Sequence, residues 1–549
     1  MKKKATIYTS AVLNGSMLLT SIDAALWLHK SDGFTHITIY SVLNYNPFNF
    51  FTLPLRLKNL TLYLKVSKFK KYWNRVKPTN SDENHSDLSK FANGKIDSTN
   101  LKIFDLEINF VRLREKNKNS FRKSITLSYR VAKDYLNYFN RNALEKRIYL
   151  NYKLANINAG LHVLSEALRS DYKSFGSIFY CRLGILAALY KLHISLEQYK
   201  SLILLEDNTS FVCGVDQEYL YGFFSRYMSN QGAKFIELNN IQLPYIKLDL
   251  NKTYYSRLNI FKIGSDIEIP DKEKIYQYYK KRIEKPWEVF NYKEEKYSSK
   301  KNILKLNEVS VILYLHSFTD AQYVYGYDGY HDLMDWCLTT ISILNSNKHV
   351  SKVIIKPHPE STSSYHPGDS IANNYLKSKI SSFEKVAWAD FHFGVNNIIS
   401  SDKVIGISHH GSVTEELVFN KFPVIASSHS SWGDKYKFGY WWNDKKDYEK
   451  LISSKLISEL QVTQTQTDEL YRYANDFYFT KNSHIYFNIT STWKDIFETF
   501  SLKDSNEHGE NVEQIIKIVN KINPEDQKFK RYIATRLNRI NLLVEQQNK

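Results

Sequence analysis

The sequence is short of the residues that cross-link and punctuate small folds. Three cysteines, Cys181, Cys213 and Cys337, are scattered over 549 residues, and no Cys-x-x-Cys occurs. That excludes a disulfide framework and gives no structural zinc spacing; a reducing cytoplasm fits best. Glycine (19) and proline (11) are scarce, which argues for a globular chain and against a disordered one. No apolar run approaches the ~18 residues needed to span a bilayer. The basic start, MKKKATIYTSAVLNGSMLL, is not read as a signal peptide, because Thr9, Ser10, Asn14, Gly15 and Ser16 interrupt its apolar part. No internal repeat recurs at a fixed period.

What is present points to sizeable cores. Hydrophobic residues make up 43% of the chain, with 40 Tyr and 31 Phe. The length allows about three to four units of ~150 residues, or two large α/β domains. Lys plus Arg outnumber Asp plus Glu by 75 to 57, a formal net charge of +18. Such an excess favours an anionic partner such as a nucleotide, an acidic polymer, nucleic acid or a membrane surface. A lysine-rich genomic bias explains it equally well.

Along the chain the pattern alternates. KATIYTS, a helix, and HITIYSV read as β-α-β, the start of a parallel sheet. Pro54 to Lys77 carries eight Lys/Arg, no acid, and Tyr63, Phe69, Tyr72 and Trp73; residues 78–100 are polar and turn-rich, so 54–100 reads as a basic insertion. LKIFDLEINF alternates like one strand. YKSLILLEDNTSF reads as an apolar strand ending in Glu206-Asp207-Asn208, followed by a helix and the strand KFIEL. Residues 256–302, highly charged toward their end, are expected as a connector. Beyond them EVSVILYLHS, KVIIKPHPES, KVIGISHHGS and FPVIASS are strands separated by helices, and the polar residues after 501 form a helical tail. The fold class is α/β, with doubly wound sheets whose ligands lie at the carboxyl ends of the strands.

Three such ends are unusually polar. After KVIGI come His409, His410, Gly411 and Ser412, with Glu415 and Glu416 following. Ser412 and Glu415 have the spacing of a capping box. Gly411 lets backbone approach a ligand, the helix start offers free N–H groups to a phosphate, and His410 is a further donor. KVIIKPHPES ends in Lys356 and in His358 held between Pro357 and Pro359, a cation and an imidazole suited to a diphosphate. LYLHSFTDA puts His316, Ser317, Thr319 and Asp320 straight after a strand. Each corner alone also reads as a solvated loop. A metal site built from His316, Asp320, His331, Asp332 and Asp335 lacks tight ligand spacing, and His331 with Asp335 reads as an ordinary helical pair; no metal ligand is assigned.

Together, LHSFTDAQYVYGYDGYHDLMDW, IIKPHPES and HHGSVTEELVFNKFPVIAS resemble the donor-binding half of bacterial GT-B glycosyltransferases of capsule and surface polysaccharide biosynthesis, the group that includes Kdo transferases and sialyltransferase-like proteins. The likeness covers about residues 309–445. It implies two Rossmann-like domains facing a cleft: an acceptor domain at 1–255, the connector, a nucleotide-sugar domain at 303–500 and the tail at 501–549. It implies that His358-Pro359, Ser412 and the Gly411 backbone hold the donor phosphate, and that Glu416, before Pro423, meets a donor ribose or a structural partner. Lys356, His316, Asp320 and His410 join the expected donor site. The family implies no bound metal and no cofactor beyond the nucleotide sugar, with a CMP-sugar as first expectation and UDP and GDP open.

An inverting transfer also needs a base for the acceptor hydroxyl. Asp207, ahead of Glu206, is the expected one; the pair resembles an acidic pair of some bacterial sialyltransferases, with Asn208 where they have Gly. The expected acceptor is a surface glycan or glycolipid, capsule or lipopolysaccharide. Residues 54–77 are expected on an anionic membrane surface at the inner face of the cytoplasmic membrane, on the glycan, or as a solvated helix; no nucleic-acid module accompanies them. A polyol-phosphate transferase of the teichoic-acid type and a nucleotide-sugar epimerase are the rival enzymes, and a basic membrane-surface scaffold is the rival without activity.

Overall fold

A computed structural model describes residues 3–9, 15–42, 98–103, 105–113, 121–170, 177–203, 209–214, 219–237, 272–285, 309–319, 322–362, 367–390, 393–398, 403–433 and 435–479. Two six-stranded sheets organise them. The first takes β1 (Lys4–Thr9), β2 (His36–Val42), β3 (Ser98–Ile103) and β4 (Leu106–Leu113). After a two-residue-strand hairpin of β5 (Lys153–Leu154) and β6 (Ile157–Asn158), it adds β7 (Thr209–Gly214) and β8 (Lys234–Glu237). Their order is β3-β4-β2-β1-β7-β8, parallel except for β3 against β4.

The expected β-α-β opening is present, with the helix Gly15–Asp32 between β1 and β2. Two expectations fail. LKIFDLEINF is not one strand: the chain folds back around Asp105, pairing Leu101 with Ile108, and β3 begins at Ser98 inside the stretch read as insertion. Nor do the first five residues of YKSLILL form a strand. The helix Arg182–Ile203 takes them in, with Tyr199 buried against Phe224, and the described part of β7 starts at Thr209. A short apolar run fits a buried strand and a buried helix equally, so periodicity could not separate them.

The second sheet holds β9 (Ser310–Tyr314), β10 (Lys352–Lys356), β11 (Val386–Trp388), β12 (Val404–Ser408), β13 (Val424–Ser427) and β14 (Tyr440–Trp442). All its neighbours are parallel, in the order β11-β10-β9-β12-β13-β14. The chain winds outward from β9 in one direction, then returns to its other side at β12. This is the doubly wound order, with its reversal between β9 and β12.

The period-two strand geometry explains the unbroken apolar runs. Val311 and Leu313, Val353 and Ile355, Ile405 and Ile407, and Ile425 enter one core. Ile312 and Tyr314, Ile354, Val404, and Val424 and Ala426 enter the core on the other face. The helix Lys272–Glu284 lies within the stretch expected as a connector, yet it lends Ile275 and Tyr279 to that second core.

The loop after β9 ties the two halves together. Tyr323 packs in the core of the first half. Arg147 donates through Nη2 to the Gly329 carbonyl at 2.8 Å and lies over the Tyr327 ring. The Ile178 amide donates to Asp332 Oδ2 at 2.9 Å, and Phe179 meets His331 edge-on. No described helix is long and apolar enough to cross a membrane. The basic stretch 54–77 and the tail from 501 lie outside the described residues.

Candidate functional site

Because β10, β9 and β12 are parallel neighbours, their carboxyl ends lie along one edge of the sheet. His316 follows β9, His358 follows β10, and His409 and His410 follow β12, on both sides of the topological reversal. The rings converge. His316 lies 5.7 Å from His358 and 4.1 Å from His410 between centroids. His410 is 4.9 Å from His409 and 5.5 Å from Tyr325. Three strand mouths that looked separately polar in sequence therefore make one cluster of four imidazoles.

Each ring is held. Ser361 donates through both its amide (3.0 Å) and its hydroxyl (2.7 Å) to the His358 carbonyl, closing the turn Pro359–Thr362 that Pro359 begins. His409 and His410 share a hydrogen bond between their Nδ1 atoms at 2.7 Å, and His409 Nε2 is bonded to the buried Asp328 carboxylate. Burial opposes charge on Asp328, but the His409 imidazole and the Tyr330 amide hold its carboxyl below the ordinary carboxylate range. Burial pushes His410 well below the usual imidazole range, and His316, His409 and His358 push it further. Lys356 is buried at the end of β10, with Nζ donating to the Pro357 carbonyl at 2.7 Å. Burial brings its amine down to about 8, against the pull of Asp390 and Glu416.

The corner after His410 departs from expectation. Ser412 makes no side-chain cap and is itself helical, at φ −63° and ψ −11°. Glu415 is no capping-box partner. It is buried, accepting from Tyr279 at 3.0 Å, from Tyr478 at 3.0 Å and from Arg282 Nη1 at 3.1 Å. Arg282 reaches further: Nε donates to Glu416 at 2.9 Å and Nη2 to the Ser412 carbonyl at 3.0 Å. Of the two roles expected for Glu416, the structural partner is the one seen. The Gly411 amide is taken by Ser408 Oγ at 3.2 Å, and a Cβ on Gly411 would stand 2.7 Å from that oxygen, so the glycine serves a close approach within the chain. The short helix Val413–Phe419 is thus fixed by the buried arginine from below.

Of the residues expected in a donor site, His316, His358 and His410 come together, and Lys356 ends β10, the strand that carries His358. Asp320, Glu206 and Asp207 lie outside the described residues. The expectation for the last two rested on a strand end, and the described part of the strand there begins after them at Thr209. His331 and Asp335 do not form a side-chain pair: the His331 amide donates to Asp335 Oδ2 at 3.0 Å, and Asp332 caps the helix Leu333–Ser346 through the Asp335 amide. Among the described residues no group of three or more His, Cys, Asp or Glu is arranged to hold a metal ion. Sequence reasoning missed His409, Asp328 and Arg282. His409 was legible as half of an adjacent histidine pair; Asp328 and Arg282 carried no signal, being 81 and 133 residues from their partners.

No protein-family profile and no curated protein matches the chain. Among solved structures, the apo form of OtsA aligns at a TM-score of 0.32 and 10% identity, covering 92% of this chain and 100% of that one. An α,α-trehalose-phosphate synthase (UDP-forming) from Burkholderia vietnamiensis aligns at 0.29 and 8%, covering 95% and 99%. A glycosyltransferase from Rickettsia africae ESF-5 aligns at 0.26 and 13%, covering 92% and 100%. At these scores the likeness carries no weight for activity.

Proposed function

We propose that the chain is a GT-B glycosyltransferase whose second α/β unit binds the phosphate of a nucleotide sugar at the histidine cluster. The observation that supports this most is the convergence of His316, His358 and His410 from three adjacent strand ends at the reversal of a doubly wound sheet. That is where open α/β sheets take their ligands. Imidazole N–H groups and the Lys356 amine supply the fixed positive dipoles and charge that stabilise a departing nucleotide anion, and they supply them without a metal. Acceptor activation falls to the first unit, and no described residue there is assigned to it.

The finer reading takes a CMP-sugar as donor and a surface glycan, capsule or lipopolysaccharide, as acceptor. It is supported by the likeness of His358-Pro359 and of Gly411-Ser412 with Glu416 to the surface-polysaccharide enzymes. Thermal shift with CMP, UDP, GDP and CDP-glycerol separates the donor classes. One nucleotide should raise the melting temperature, and His358→Ala should abolish the rise. A response to CDP-glycerol alone would move the reading to polyol-phosphate transfer. Silence toward all four would end it.

A further inference from the structure

The histidine cluster contains a hydrogen-bond chain whose polarity is fixed at one end. Asp328 is a buried carboxylate, so the contact with His409 Nε2 requires the proton on that nitrogen. With His409 neutral, its Nδ1 is an acceptor, and the bond between the two Nδ1 atoms must be donated by His410. Neutral His410 then carries no proton on Nε2. That atom is buried and has no hydrogen-bond partner. A buried lone pair without a donor is costly and calls for an explanation.

One added proton resolves it once an anion oxygen is there to accept the N–H, wherever the proton enters the pair. Placed on His410 Nε2, it makes that nitrogen a donor directly. Placed on His409 Nδ1, it reverses the shared hydrogen bond, and His410 takes the tautomer with its proton on Nε2. Both routes end with an N–H at the same atom, next to His316, which in turn touches His358.

We propose that Asp328, His409 and His410 form a proton-uptake relay: binding of a phosphate-type anion at His316 and His358 draws one proton from solvent onto the histidine pair and converts His410 Nε2 from acceptor to donor. The inference rests on the reading that the donor's anion sits at this cluster. The groups facing the pair set the direction of the linkage. His316 and His358, from the ends of β9 and β10, oppose a proton on His410 while the site is empty, and so does burial. Lys356, at the end of β10, adds positive charge to the same edge of the sheet. From the loop after β9, Asp328 favours the proton, and Tyr325 packs edge-on against His410. His429, after β13, hydrogen-bonds the Tyr325 carbonyl and acts on Asp328. Glu416 lies on the following helix, neutralised by Arg282. An arriving anion reverses the balance.

Calorimetry of the full chain with UDP, CMP and sulfate at about pH 8 tests this in two buffers of different ionisation enthalpy. Phosphate monoesters have already lost their second proton there, with a pKa near ~6, and sulfate does not titrate. We expect up to one proton taken up per anion bound, and affinity falling up to about tenfold per pH unit above neutrality, the slope of one linked proton. His410→Gln, whose amide is a donor at every pH, should bind with no uptake and a flat profile, while Lys356→Met, which removes the amine that itself titrates near the assay pH, should keep the wild-type uptake; uptake that survives His410→Gln, or that is lost in Lys356→Met, places the proton elsewhere and overturns the relay. A nucleotide bound with no proton exchange overturns the relay and leaves the transferase reading intact. Sulfate bound with uptake, and no nucleotide preferred over it, keeps the relay and removes the transferase reading. Binding of none overturns both.

Discussion

Arg282→Met tests whether the histidine corner stands on a buried ion pair. Arg282 and Glu415 are each about 1% exposed, so neither charge has water to fall back on. In the wild type the guanidinium satisfies Glu415, Glu416 and the Ser412 carbonyl at once. Removing it leaves Glu415 with two tyrosine hydroxyls and no countercharge. Breaking one side of such a pair costs about 3–5 kcal/mol. At ~2–4 °C per kcal/mol, the second unit should melt roughly 10 °C lower, followed by fluorescence of the buried Trp336, Trp432 and Trp442. The pH dependence has a definite sign. Burial already raises the Glu415 carboxyl, and Arg282 is the main influence lowering it. Without the arginine the folded variant holds a proton that the unfolded chain releases, so its deficit widens as pH rises above the ordinary glutamate range. Arg282→Met with Glu415→Leu removes both charges and should recover most of the loss. A single variant melting within about 2 °C of wild type, under ~1 kcal/mol, or a double variant whose losses simply add, would refute the reasoning.

Lys356→Met should exchange stability for binding. A buried amine lowered to about 8 binds fewer protons than the unfolded chain up to its ordinary value of 10.5, so its penalty is full below pH 8 and fades above. The charge costs up to about 3 kcal/mol; after loss of the bond to Pro357, the variant should gain about 1–2 kcal/mol at pH 7 while its nucleotide affinity drops roughly tenfold in calorimetry. Asp332→Ala removes a helix cap and the bond to the Ile178 amide, at about 1–3 kcal/mol in thermal unfolding. Burial pushes the Asp332 carboxyl up to about 6, so the folded wild type is favoured as pH falls toward 4, and the variant's deficit should be larger at acid pH than at pH 7. Gly406→Ala puts a methyl into Leu417 and should cost about 1–3 kcal/mol by urea denaturation, shifting the helix that follows the histidine pair.

The fold was legible where local pattern and burial agree. SVILY, KVIIK, VIGIS and VIAS are apolar over their whole length because both faces of their sheet are covered, and the sequence reading placed each of these strands. It failed at YKSLILL, where an equally apolar run continues a helix. Convergence of the three strand mouths followed from the alternation of strands and helices, since parallel neighbours must end on one edge. The partners that tune them did not follow. Asp328 and Arg282 reach His409 and Glu415 by tertiary contact alone, and the Ser-x-x-Glu spacing pointed to a cap because nothing local announces a buried arginine.

Asp328 and Asp332 show how one loop serves two purposes. Both carboxylates are buried, four residues apart, yet their acidities move in opposite directions. Asp328 faces an imidazole that can carry charge, and burial is outweighed. Asp332 faces backbone amides from its own helix and from Ile178 across to the first half, and burial wins. The first therefore holds charge for the histidine pair, and the second fastens the same loop to the other half of the chain. Because Tyr323, Gly329 and Asp332 are anchored there, displacement of the two halves must pull on the residue that orients His409. Loosening the anchor should then reach the site: Asp332→Ala should weaken the proton uptake measured on anion binding, whereas Thr463→Ala, which removes the side-chain cap of the helix Gln464–Ala474, should lower stability without touching it. Equal uptake in wild type and Asp332→Ala would separate the two halves of the loop and leave Asp328 positioned by the second sheet alone.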